Sequence, residues 1–155
     1  MEMELDYVVF NKNDRINFST NHAMLALYRG VTVDDVRGSR FRQALLESLN
    51  VKMVDGLYLI KDSVAVIVEV SAPGNAFSKL LDVMVAVHEK QIEMCLFITQ
   101  TFDTAVYRNR FKQPDSNTTG NRIEFDTAKR MIQTYCDVFF KVPIGIIGVG
   151  FNFDA

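Results

Sequence analysis

The chain has 155 residues, of which 48% are hydrophobic and 23% charged, and carries a formal net charge of −2. That length suits one globular domain, residues 1–155, which can bury a core without a disulfide or metal staple. The nearly neutral balance excludes a protein held to a polyanion by bulk charge; a nucleic-acid partner would need a local basic patch set against acid elsewhere.

The first apolar run, Leu5–Phe10, reads as a short strand ended by the polar turn NKNDR. In STNHAMLALYRG, Ser, Thr and Asn are helix starters and Gly30 a stop, so a helix is expected over about 20–29. A loop follows, then a helix near 39–49 with Phe41, Leu45, Leu46 and Leu49 on one face. VDGLYLI and SVAVIVEV flank Lys61-Asp62, a candidate two-residue hairpin turn. The second run is almost continuous Val, Ala and Ile, as a strand buried on both faces requires. After SAPGN, Asn75 or Ser78 can cap a helix to about Lys90, with Phe77, Leu80, Leu81, Met84 and Val87 inward. MCLFIT (Met94–Thr99) is another buried-strand run, and FKQPDSNTTGN is a loop. Asp126 caps a helix of roughly 127–140 with Ala128, Met131, Ile132, Tyr135 and Phe139 inward, and Pro143 precedes a last strand, IGIIGVGF. The order β, α, α, β-hairpin, α, β, α, β predicts an α/β fold: a mixed sheet flanked by helices.

Cys95 and Cys136 lie in apolar segments outside any CxxC pair and read as reduced core residues. The acidic start MEMELDYVVF lacks the layout of a signal peptide. No apolar run approaches the roughly 18 residues of a membrane span. The expectation is a cytoplasmic chain with no membrane partner.

Two carboxylates stand out in the hairpin, Asp55 near the start of its first run and Glu69 near the end of its second. With Ile60 opposite Ser63, Asp55 falls opposite Val68, beside Glu69. Cross-strand neighbours are about 5 Å apart and diagonal ones about 7–8 Å, a range that suits one divalent cation between them. All-oxygen ligation favours Mg²⁺ over zinc. The bland alternative is that both acids are solvated at the sheet rim.

An acid in the first strand of a hairpin followed by EVS at the end of the second resembles the PD-(D/E)xK nuclease superfamily. The run EVSAPGNAFSKLLDVMVAVH, with Asp82 and His88, and the closing VPIGIIGVG resemble type II restriction endonucleases of the BglII/BamHI kind. The resemblance covers residues 41–102 and 142–150 and implies a restriction-endonuclease-like fold. It also implies a homodimeric, Mg²⁺-dependent endonuclease (with Mn²⁺ as a substitute) that cuts double-stranded DNA by direct attack of water. Asp55 and Glu69 would hold the metal, helped by the backbone carbonyl of Val70. Glu47, on the helix before the hairpin, is a candidate further acid, or else a solvated helix charge. Ser71 stands where that pattern has Lys, Glu or Gln. Lys79 is placed to approach the scissile phosphate, or to pair with Asp82 at i+3.

Two basic segments supply candidate DNA contacts. Arg108, Arg110, Lys112 and Arg122 face only Asp115 in charge between Tyr107 and Arg122. Arginine suits both guanine edges and phosphates. Arg37, Arg40 and Arg42 cluster at a helix start, against the dipole, which leaves phosphate binding or a solvated loop as the reason. The second functional reading is an inactive nucleic-acid-binding or protein-interaction domain on the same scaffold.

Overall fold

The computed structural model describes residues 2–61, 63–89, 91–138 and 141–153; the side chains of Cys136 and Val138 fall outside that description. Its elements are β1 (Met3–Phe10), α1 (Asp14–Gly30), α2 (Val33–Arg37), α3 (Phe41–Leu49), β2 (Lys52–Val54), β3 (Leu57–Ile60), β4 (Val64–Val68), α4 (Pro73–His88), β5 (Met94–Gln100), α5 (Phe102–Asn109), α6 (Phe125–Val138) and β6 (Ile144–Phe151). The strands form one mixed sheet in the order β1-β6-β5-β4-β3-β2. The three central strands, β4, β5 and β6, run parallel, and β1 and the β2–β3 hairpin flank them antiparallel.

The central strands are buried on both faces, which explains their unbroken apolar sequences. Val64, Val66, Val68 and Val70 pack with α1, α2 and α3. Ala65 and Ile67 face the other way, into a cluster with α4 and α6. Phe41 and Leu45 on α3 are fully buried, each side chain contributing about 1.5–3 kcal/mol by leaving water. On β6, a Cβ added at Gly145 would run into Thr20 of α1, so glycine lets that helix lie close on the sheet.

Several boundaries differ from the sequence expectation for identifiable reasons. α1 begins six residues early because the Asn13 side chain, not the later Ser, Thr or Asn, accepts from Ile16 N at 2.8 Å. α2 was expected to be loop; a capping box between Thr32 and Asp35 starts it. α5 was likewise unforeseen, and the Thr101 side chain caps it. α4 starts at Pro73, and its buried side is Ala76, Leu80, Val83 and Ala86. Phe77, Leu81 and Val85 point outward instead, 37%, 44% and 57% exposed. α6 is capped by Glu124, which accepts from the backbone N–H groups of Asp126 and Thr127, while Asp126 is exposed. Phe139 lies outside the described residues. Cys95 is buried in the core, and His88 is exposed at the end of α4.

The hairpin departs most. Its first run is broken by Asp55-Gly56, with φ +50° and +83°, so β2 and β3 form a separate hairpin. Asp-Gly is the pair that tolerates two successive left-handed residues, and it makes the tightest hairpin turn. Asp55 is therefore a turn residue, not a strand residue. β3 then pairs with β4 in the register Ile60↔Val64, one residue on from the Ile60–Ser63 pairing expected. Extended, that register would align residue 55 with residue 69 itself, but the chain leaves the ladder at Gly56.

Candidate active site at the carboxyl ends of the parallel strands

Open sheets with parallel strands gather ligands beyond the carboxyl ends of those strands, where the backbone stops and loops diverge. Here β4 ends in Glu69-Val70-Ser71 and β5 in Gln100. Glu69 N donates to Ile98 O at 3.1 Å, so the ladder with β5 runs on one residue past β4. Glu69 is 3% exposed. Its Oε1 accepts from the Ser71 N–H at 3.1 Å and from the Ser71 hydroxyl at 2.6 Å. The carboxylate is thus held by the residue two positions on, and Ser71 is spent in holding it. A buried anion without such donors would be costly.

Gln100, which the sequence reading left out, is the hub of this end. It is fully buried, and its Nε2 donates to Val70 O and to Ile123 O, each at 2.8 Å. Its Oε1 accepts from Arg108 Nη1 at 2.9 Å. The Ile123 N–H in turn donates to Ser71 O at 2.9 Å, tying the 110–122 loop to the end of β4. The only sequence signal for Gln100 was an amide closing a wholly apolar strand. On the opposite side Arg42 donates from Nε to Val68 O at 3.3 Å, with its guanidinium 5.9 Å from the Tyr58 ring centre.

The remaining sequence candidates fall as follows. Asp55 is exposed on its turn. Glu47 is exposed on α3, paired with Arg40 at 3.1 Å and accepting from Gln43. Arg40 is the residue before α3 and is occupied by that pair. Arg37 closes α2 rather than opening α3, so it favours its helix dipole; its Nε donates to the Tyr107 hydroxyl at 3.1 Å. Lys79 is half-buried on α4, and among the described residues no ion pair joins it to Asp82. Arg110 is turned onto its own loop, donating to Ser116 O and Asn117 Oδ1. Lys112 is exposed in that loop. Arg108 packs over the Phe41 ring at 4.9 Å. Burial, and then the nearby Arg122, push its guanidinium down to about 10. Arg122 is half-buried, and its Nη1 is buried with no hydrogen-bond partner among the described residues.

The donors suited to a metal are all oxygens, which fits a hard divalent cation. The set is thin: among the described residues no three or more His, Cys, Asp or Glu side chains are gathered for a metal. Val70 O already accepts from Gln100. Glu69 Oε2, by contrast, carries no hydrogen bond among the described residues, and Asp55 is exposed on its turn.

This sheet order, with its helical layers and polar carboxyl end, is a restriction-endonuclease-like fold. Among solved structures the chain is similar to the restriction endonuclease BglII complexed with a DNA 16-mer. The TM-score is 0.64 at 12% identity, over 98% of this chain and 78% of that one. Free BglII superposes with a TM-score of 0.57 at 14% identity, over 98% of this chain and 82% of that one. No family model and no curated protein sequence matches the chain. Among the described residues no helix is long and apolar enough to cross a membrane.

Proposed function

We propose that the chain is a Mg²⁺-dependent endonuclease acting on double-stranded DNA. One observation carries this reading. A buried glutamate, Glu69, follows strand β4 of a BglII-like fold within a hydrogen-bonded network that reaches Arg108, with Arg122 beside it, and among the described residues neither arginine has a carboxylate partner. Glu69 Oε2 and Asp55 would hold the metal, and Mn²⁺ would substitute for Mg²⁺. Such a cation, when bound, supplies Lewis acidity that activates water and offsets charge on a phosphate oxygen. Ser71 fixes the Glu69 carboxylate through Oε1, so Oε2 is presented in one orientation. Gln100 locks the end of β4 to the Arg108 side chain, and Arg42 braces β4 from α3. Lys79 and Lys112 are the outer cations that would meet the duplex directly, whereas Arg110, Arg37 and Arg40 would reach it only by leaving the partners they hold, Glu47 in the case of Arg40.

A palindromic duplex has two-fold symmetry, and a second copy of the chain supplies the second cut. Phe77, Leu81 and Val85 form an exposed apolar stripe along α4 that suits an isologous contact between two copies. Leu81→Glu is expected to turn a dimer into a monomer by sedimentation equilibrium while leaving the circular dichroism spectrum unchanged. A dimer that persists in the variant rejects the stripe as the interface.

Two contacts favour a second reading, an inactive nucleic-acid-binding or protein-interaction domain. Ser71 holds Glu69 from within the chain, and Gln100 occupies Val70 O. Incubation of the purified chain with duplex DNA and Mg²⁺ or Mn²⁺ separates the two. Cleavage by the wild type that is lost in Glu69→Ala and in Asp55→Ala supports the nuclease. No cleavage of any duplex by the wild type leaves the second reading standing.

A further inference from the structure

We infer that Arg108 and Arg122 form a clamp for a phosphate oxyanion, with Gln100 holding Arg108 in place. The source we assign, a backbone phosphate of bound DNA, rests on the nuclease reading; the oxyanion chemistry does not.

Both guanidiniums stand at the carboxyl end of β5, joined to the Glu69–Ser71 segment through two links. Gln100 connects Arg108 to Val70 O, and the Ile123 N–H connects the residue after Arg122 to Ser71 O. Neither arginine is in an ion pair among the described residues, where Arg15, Arg37 and Arg40 each have an acid. Two like charges sharing a partly buried site repel each other, and the downward push on Arg108 has that as its second cause. Proteins rarely leave such a pair uncompensated, because a buried charged donor without an acceptor costs more than a neutral one.

The donor geometry has spare capacity. Arg108 spends one N–H on Gln100 and lays its guanidinium over Phe41, and among the described residues its other N–H groups have no hydrogen bond. Arg122 Nη1 has no acceptor among the described residues, and the side chain as a whole is half-buried. A tetrahedral oxyanion accepts from two planar forks at once, whereas a single carboxylate satisfies only one bidentately. A guanine edge is the poorer fit, because Arg108 is too buried to extend into a groove.

The test uses the full chain in two arms. In the first, inorganic phosphate is the probe, titrated against chloride at matched ionic strength and followed by thermal melting. The wild type is expected to melt higher in phosphate than in chloride. Arg108→Ala and Arg122→Gln should each lose that increment, and Arg108→Lys should keep part of it. Arg122→Gln removes no observed side-chain hydrogen bond, so it keeps the test valid if Arg108→Ala fails to fold. No phosphate increment in the wild type, or one that survives in both Arg108→Ala and Arg122→Gln, overturns the clamp. In the second arm, duplex binding is measured with Ca²⁺ replacing Mg²⁺. Arg122→Gln should weaken all sequences evenly and lower the salt slope by about one unit. A position-specific loss instead would mean base readout and would overturn the phosphate assignment. An arginine-dependent phosphate increment in a chain that binds no duplex upholds the oxyanion clamp and rejects the nuclease reading.

Discussion

The two ends of the parallel strands solve opposite problems. At the carboxyl end, Glu69, Ser71, Gln100 and Arg108 are joined by a chain of hydrogen bonds that leaves Glu69 Oε2 and part of the Arg108 fork unused. At the amino end, a cleft of about 900 Å³ opens between α1, α3 and the β2–β3 hairpin, lined by Phe18, Ala26, Leu49, Val54, Leu59 and Leu96 among others. That volume sits within the usual range of about 300–1,000 Å³ for ligand sites. The cleft also carries polar side chains, Asp14, Arg15, His22, Lys52 and Lys61 among them, but the buried Glu69 carboxylate and the Gln100 hydrogen-bond hub stand at the other end. A duplex is bigger than any cleft in a domain of this size, so a protein that works on it needs an exposed polar rim rather than a deep pocket. The open cleft and the buried Glu69–Gln100 network are separated here by the length of a strand.

The largest expected effect tests that separation directly. Glu69→Gln keeps the shape of the side chain but removes its charge, and cleavage should fall by ~10²–10³-fold or more, as when one transition-state-stabilising group is removed. Phe18→Ala, in the cleft wall and 64% exposed, should change the rate by less than about twofold, since exposed substitutions are worth within ~0.5 kcal/mol. Single-turnover rates for both variants check this. Equal losses would mean that the cleft and the polar end act together and that the contrast between them is false.

The same two ends were unequally legible in the sequence. Central strands buried on both faces leave unbroken apolar runs, so β4, β5 and β6 could be read off directly, and with them the mixed sheet and its helical layers. Glu69 was visible because it interrupts such a run. Its partners were not. Gln100 looked like the residue after a strand, and its three hydrogen bonds join segments 23 to 30 residues apart or reach a helix that was not foreseen. Asp55 was visible as an acid but misplaced, because VDGLYLI was read by hydropathy alone and its Asp-Gly turn was passed over. The inward face of α4 was misjudged for a related reason. Its helix is apolar nearly all round, and periodicity cannot choose between Ala76–Leu80–Val83 and Phe77–Leu81–Val85 without the sheet it packs on.

A smaller effect is expected at Ser71. Its hydroxyl and N–H hold Glu69 Oε1, but the N–H survives substitution. Ser71→Ala should therefore lower single-turnover cleavage roughly 10-fold or less, about one hydrogen bond's worth. A fall of several hundred-fold would show that the hydroxyl does more than orient the carboxylate. No activity in the wild type with a gain in Ser71→Lys would show instead that the polar end has lost its chemistry while keeping its network.

The smallest effect concerns how charge is divided across the polar end itself. Arginines sit by β4 and β5, while Asp6 on edge strand β1 lies near Asp126 and Asp103, in the first turns of α6 and α5. Both acids stand where the helix dipole favours negative charge. Partial burial first, then Asp126 and Asp103, hold the Asp6 carboxyl above its ordinary value of 3.8. A folded-state pKa above the unfolded one means the folded chain binds that proton more tightly. The stabilising contribution is therefore fully present below pH 3.8 and is lost as pH rises through the raised folded value. At neutral pH the ionised Asp6 is a small liability. Asp6→Asn should then melt slightly higher than the wild type at pH 7, with the advantage shrinking steadily towards pH 3.8. Melting curves of both proteins at a series of pH values measure it. An advantage that is constant with pH would assign the gain to something other than charge.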